Sequence, residues 1–155
     1  MTETWLTEAV QDVYAIEGYN FFTKSRTDKI GGGVGLFVNN SFDCKIRSDL
    51  NRMTPYLECL FLECRQPSPI QPIMLGVVYR PPNSDITLFN SDMLAILNSM
   101  NLNNSKLAMI AGDFNLNLLN ANSHAPTGDF LNNMMLFFSC QQYVNQREYR
   151  IPLRL

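Results

Sequence analysis

Short apolar runs at Val34–Val38, Leu57–Cys64, Ile73–Tyr79 and Leu107–Ala111 are partly β-branched and bounded by Gly, Pro, Asn or Ser. That is the pattern of strands. Leu57-Glu58-Cys59-Leu60-Phe61-Leu62-Glu63-Cys64 is apolar on both parities through its middle, which suits a strand covered on both faces. Two other segments step by threes and fours. Ile86, Phe89, Met93, Ile96 or Leu97, and Met100 follow the break Pro81-Pro82-Asn83-Ser84-Asp85. They predict an amphipathic helix between two strands, capped by Ser84 or Asp85. Phe130, Leu131, Met134, Met135 and Phe138 repeat the period after Thr127, with Asp129 in the first turn, where the helix dipole favours an acid. The methionine-rich faces read as core. Strands, helix, strand and helix in this order predict an α/β layered protein. Gly31-Gly32-Gly33 reads as a mobile turn into the strand at Val34, since no Lys-Ser/Thr or helical pattern follows it to make a phosphate cradle. Residues 141–155 have no clear period, carry Arg147, Arg150 and Arg154, and read as a divergent tail appended to a domain of residues 1–140.

Composition narrows the class. A chain of 155 residues that is 46% hydrophobic suits one ordinary domain. Twelve Lys plus Arg against 14 Asp plus Glu leave a net charge of -2, so there is no general attraction to nucleic acid or anionic membrane, and any polyanion must be met locally. No apolar run approaches the roughly 20 residues of a membrane span. Met1-Thr2-Glu3-Thr4-Trp5 lacks both the basic and the apolar part of a secretion signal. The expectation is an intracellular protein, nuclear or cytoplasmic, with no membrane partner. Cys44, Cys59, Cys64 and Cys140 show no close-set pairs of the zinc-site kind, and Cys59 and Cys64 have opposite parity on one strand. All are read as buried reduced thiols.

The chemistry concentrates where the strand Leu107–Ala111 runs into Gly112-Asp113-Phe114-Asn115. If the strand continues, Asp113 and Asn115 share one parity and emerge on one face, while Phe114 points into the opposite layer. A carboxylate that orients a water and an uncharged donor that holds a phosphate without repelling it are what metal-assisted phosphodiester hydrolysis needs. Taken alone, the tetrapeptide is better explained as two polar residues capping a turn.

Its neighbours carry a resemblance. Glu3 in "TETWL", the "GGGVGLFV" of Gly31–Val38, Tyr79 in "GVVYRPPNSD", and Asp113 with Asn115 in "AGDFN" stand in the order found in the endonuclease/exonuclease/phosphatase superfamily. Within it they resemble the endonuclease domains of non-LTR retrotransposons. The resemblance covers about residues 1–140 and implies an α/β fold, a two-sheet β-sandwich flanked by helices in four layers, with the active site at one end of the sheets. It also implies bound Mg2+ (or Mn2+) and one-step hydrolysis of a phosphodiester. By the same resemblance Glu3 is the metal ligand, Asp113 positions and activates water, Asn115 hydrogen-bonds the scissile phosphate, and Tyr79 steadies the phosphate or leaving group.

The sequence also departs from the family. The family's asparagine on a strand upstream of the glutamate has no counterpart before Glu3, and no late Asp-His pair follows Asn115. The single histidine, His124, sits in the polar loop Asn120–Thr127 and reads as solvated. The expectation is therefore an incomplete sandwich, truncated at both ends, that is inactive or feeble as this chain and self-associates through uncovered sheet surface. The expected partner of the completed protein is double-stranded DNA, gripped by its phosphate backbone. The candidate cations are few: Lys24, Arg26 and Lys29 in the loop after Phe22, and Arg80, which has Asp85 as an alternative partner. Two further readings stand beside this one: another superfamily hydrolase, a phosphatase or ribonuclease, and a non-catalytic relic or interaction module.

Overall fold

The computed structural model describes residues 1–6, 14–26, 31–66, 71–100, 107–118 and 121–134 in full, and the backbone of 141–142 and 153–154. β1 (Tyr19–Lys24) and β2 (Val34–Asn39) pair antiparallel as a small sheet. The second sheet is built on β3 (Asp43–Ile46), β4 (Arg52–Met53), β5 (Glu58–Arg65), β6 (Ile73–Tyr79) and β7 (Leu107–Asp113). β5 is antiparallel to β3, β4 and β6, whereas β6 and β7 are parallel. Parallel neighbours need a crossover, and α1 (Ile86–Ser99) supplies it. α2 (Ala125–Asn132) follows β7, and β8 (Gln141–Gln142) and β9 (Leu153–Arg154) extend the sheet past β7 through backbone pairs of β9 with β7 and of β8 with β9.

Side-chain alternation sorts the large sheet into two faces. Leu57, Cys59, Phe61, Met74, Val78, Ala108 and Ile110 look toward the helices and pack on Phe89, Met93, Ile96, Leu97 and Phe130. The opposite face presents Leu60, Leu62, Cys64, Val77 and Tyr79 to Val34 and Val38 of the small sheet. β5 is thus covered on both sides, as its unbroken apolar middle predicts. Small sheet, large sheet and helices make three of the four expected layers among the described residues.

Local chemistry explains the element ends. The Asp85 carboxylate accepts hydrogen bonds from the Thr87 and Leu88 amides at 2.8 and 3.0 Å, which settles the cap of α1. α2 begins earlier than the sequence pattern suggests. His124 is its N-cap and Pro126 lies in the first turn, so Thr127 is inside the helix and Asp129 falls past the first turn, away from the free amides. The exposed His124 ring has Nδ1 2.8 Å from Thr127 Oγ1. Met134 is buried, while Met135 and Phe138 lie outside the described residues.

Two expectations need correction. Cys44 and Cys64 are not reduced: they stand directly opposite on β3 and β5, with Cα atoms 4.1 Å apart, and are joined as a disulfide. Antiparallel register brings them together although 20 residues separate them in sequence. Cys59 does match the expectation, since burial pushes its thiol up to about 12 and leaves it an inert core group. Cys140 lies outside the described residues. The triple glycine is also no bare turn. The Gly32 and Gly33 carbonyls accept from the Trp5 and Thr4 amides, and the Gly33 amide donates to Glu58.

Candidate active site

Tyr79 closes β6, and in register with it stand Glu58 on β5 and Asp113 at the end of β7. Register partners on adjacent strands share a face, so all three side chains lie on the side of the large sheet that looks to the small sheet. Glu3 arrives from the opposite direction. The first residues run back along the start of β2: Thr2 bridges Val34, the Thr4 amide donates to Gly33 O at 3.2 Å and the Trp5 amide to Gly32 O at 2.9 Å. This brings Glu3 over the end of β6, where the Tyr79 hydroxyl donates to Glu3 Oε1 at 2.7 Å across 76 residues of chain. Glu3 and Trp5 both hold positive φ, 53° and 54°, a conformation that costs free energy in residues with side chains and concentrates at functional sites.

Tyr79 is 3% exposed. Burial raises its phenol well above the usual range, and the hydrogen bond to Glu3 and the charges of Glu3, Glu58 and Asp113 raise it further. The hydroxyl therefore keeps its proton at physiological pH and serves as a hydrogen-bond donor. Three carboxylates surround this neutral phenol, Glu58 ion-paired with Arg26 and Asp113 facing Arg80.

Asp113 and Asn115 are shaped by Arg80. The Arg80 amide donates to Asp113 O at 2.9 Å, its Nε to Phe114 O at 2.8 Å and an Nη to Asn115 O at 2.6 Å. In return Asn115 Nδ2 donates to Arg80 O at 2.8 Å. Three successive residues are thereby held by one side chain and its backbone, and the other Nη ties in Ser84. Asn115 sits at φ 47°, its amide accepted by Asp113 Oδ1 at 3.0 Å, while Phe114 turns into the core against Phe89 and Phe130. The strand stops at Asp113, so a left-handed turn, not strand alternation, puts Asn115 outside with Asp113. Gly112 lets β7 lie this close to β6, because a Cβ there would come within 1.7 Å of Val78 O.

The expected nucleic-acid contacts are redistributed. Arg80 is 4% exposed, and burial lowers its guanidinium from the usual value against the opposing charge of Asp113. It clamps the turn through backbone carbonyls and Ser84, and forms no ion pair with Asp85 among the described residues. Arg26 forms an ion pair with the fully buried Glu58, whose other oxygen accepts the Gly33 amide at 2.6 Å. Gly32, at φ 73°, is required there, since a Cβ would lie 2.8 Å from both Arg26 Nε and Glu58 Oε1. Lys24 is half-buried and forms no ion pair among the described residues. Lys29 lies outside the described residues.

No protein-family model matches the sequence, and no curated protein matches it. Solved structures do. The endonuclease domain of TRAS1, a telomere-specific non-LTR retrotransposon, superposes with a TM-score of 0.62 at 12% identity over 89% of this chain. The human Nocturnin catalytic domain gives 0.62 at 13% identity over 99% of it. An endonuclease/exonuclease/phosphatase family protein from Bacteroides thetaiotaomicron gives 0.53 at 12% identity over 90%. The fold is that of the endonuclease/exonuclease/phosphatase proteins. This chain spans 65%, 66% and 60% of the length of those three structures, and identities so low carry the fold alone.

In an endonuclease/exonuclease/phosphatase fold the end of the sheets that gathers Glu3, Tyr79, Asp113 and Asn115 offers oxygen donors of the hard kind that Mg2+ takes, and Mg2+ is commonly held by one or two carboxylates with the remaining positions left to water. Exposed Glu3 fits that role. Among the described residues no three His, Cys, Asp or Glu groups form a ready-made cage. Glu58 was missed in the sequence. Its signal was a charge directly beside a run apolar on both parities, which demands a buried partner.

Proposed function

We propose that this chain carries the core of a metal-dependent DNA endonuclease of the retrotransposon type, which hydrolyses phosphodiester bonds. The observation that carries the reading is the hydrogen bond from Tyr79 to Glu3 beside Asp113, which joins a candidate metal ligand, a neutral donor and a candidate water-orienting carboxylate at one strand end.

Each residue takes a part that its surroundings favour. Glu3 would hold Mg2+ (or Mn2+), which supplies charge neutralisation at the phosphate and at the leaving oxygen. Asp113, fixed by Arg80, orients the attacking water and accepts its proton. Asn115 adds an uncharged amide toward the phosphate, and Tyr79 donates a hydrogen bond without adding charge. Since the chain spans 65% of the TRAS1 domain, activity of the chain alone is expected to be feeble.

The test is nicking of supercoiled plasmid by stoichiometric excess of the chain, with Mg2+ or with EDTA. We expect slow nicking that needs the metal and disappears in Asp113→Ala. Nicking that persists in EDTA or in Asp113→Ala, or none at all, overturns the reading. Parallel assays on an RNA oligonucleotide and on a phosphate monoester separate it from a ribonuclease or phosphatase of the same fold, and silence on all three favours a non-catalytic module.

A further inference from the structure

Trp5 is the single tryptophan of the chain, and it is 65% exposed two residues from Glu3. It is the most exposed of the large apolar side chains among the described residues. Three observations bear on what it could meet. Trp5 is held in place from below: its amide is bonded to Gly32 O, and a Cβ built on Gly31 would meet the far edge of its six-membered ring at 3.5–3.7 Å. Its backbone is kept at φ 54°, so the fold spends conformational energy to hold the ring where it is. The cations expected to grip a polyanion nearby, Arg26 and Arg80, are occupied inside the fold.

We propose that Trp5 is a stacking platform for an unpaired nucleobase of the substrate strand, next to the Glu3–Tyr79 pair. The proposal deepens the endonuclease reading and rests on it. A π-face is tolerant of base identity, requires no positive charge, and contributes affinity where a net charge of -2 gives no general attraction to the phosphate backbone. Binding through this ring therefore depends on bases more than on backbone charge, and weakens little with added salt.

The lone indole reports on itself. Titrating the chain with a short single-stranded oligonucleotide in EDTA, we expect saturable quenching of Trp5 emission that coincides with the anisotropy rise of a labelled strand. An abasic strand of equal length should bind about tenfold more weakly and quench little. Trp5→Phe should retain most of the affinity and Trp5→Ala lose about tenfold, with circular dichroism unchanged because the ring is on the surface. Binding that leaves Trp5 emission unmoved, equal affinity for the abasic strand, or no binding overturns the platform. So does an emission shift driven only by raising the protein concentration, which would assign the ring to a protein contact. Metal-dependent nicking lost in Asp113→Ala with Trp5 emission unmoved removes the platform and leaves the endonuclease standing. Base-dependent quenching without any nicking does the reverse.

Discussion

Arg80 donates to two consecutive carbonyls of the turn that carries Asp113 and Asn115, those of the buried Phe114 and of Asn115. Arg80→Ala should therefore cost about 2–4 kcal/mol in urea unfolding, since buried acceptors are left unsatisfied. Arg80→Lys should recover little of it, because a single ammonium cannot reproduce the planar fork. At Tyr79 the prediction concerns protons. Its phenol is raised in the folded chain by burial first and Glu3 second, so the folded state holds the proton more tightly than the unfolded state. That contribution is fully present below the unfolded value of 10.0 and is lost as pH climbs above it, so stability should fall at alkaline pH. Glu3→Gln should move the phenol's titration, followed by tyrosinate absorbance against Tyr79→Phe, back toward the ordinary value while leaving it raised by burial. The residue types at Glu3, Tyr79, Asp113 and Asn115 were legible as a set through their order. The role of Arg80 was not, because a basic residue after a strand tyrosine has the same appearance whether it faces a phosphate or two backbone carbonyls.

The seam between β6 and β7 depends on Gly112, where any side chain meets the Val78 carbonyl. Gly112→Ala should cost about 3 kcal/mol, the upper part of the usual overpacking range, and should shift Asp113 with it; thermal unfolding and a crystal structure of the variant check both. At the other side of the sheet, β3 is latched to β5 through Cys44 and Cys64. Reduction releases a closed loop of about 20 residues and should lower stability by about 3 kcal/mol, and Cys44→Ser should match the reduced protein. β2, β5, β6, β7 and α1 were readable because each buries a regular stripe or two full faces. β1 and β3 were not. Tyr19–Lys24 is exposed at its start and only half-buried beyond, and Asp-Cys-Lys-Ile alternates polar and apolar residues on a short strand with three exposed positions. The disulfide followed from register, which a sequence without its strand pairs cannot supply.

In the molecule as a whole the small sheet packs on β5 and β6, and on the same face of β7 Met109 stays 42% exposed with Ala111 exposed beside it. We expect concentration-dependent association in sedimentation velocity that Met109→Lys weakens; a strictly monomeric chain across the range would contradict it. The site itself is assembled from unequal parts. Tyr79, Arg80, Asp113 and Asn115 belong to one continuous strand–helix–strand unit, whereas Glu3 and Trp5 reach it by a few backbone bonds to the glycines at the start of β2. Contacts so distant in sequence close last and open first. We expect the two halves of the site to open separately, the segment of residues 1–5 before the strand–helix–strand unit. Hydrogen exchange should show the Thr4 and Trp5 amides exchanging well before that of Val78. Access to this end of the sheets would then follow how often residues 1–5 let go of the glycines.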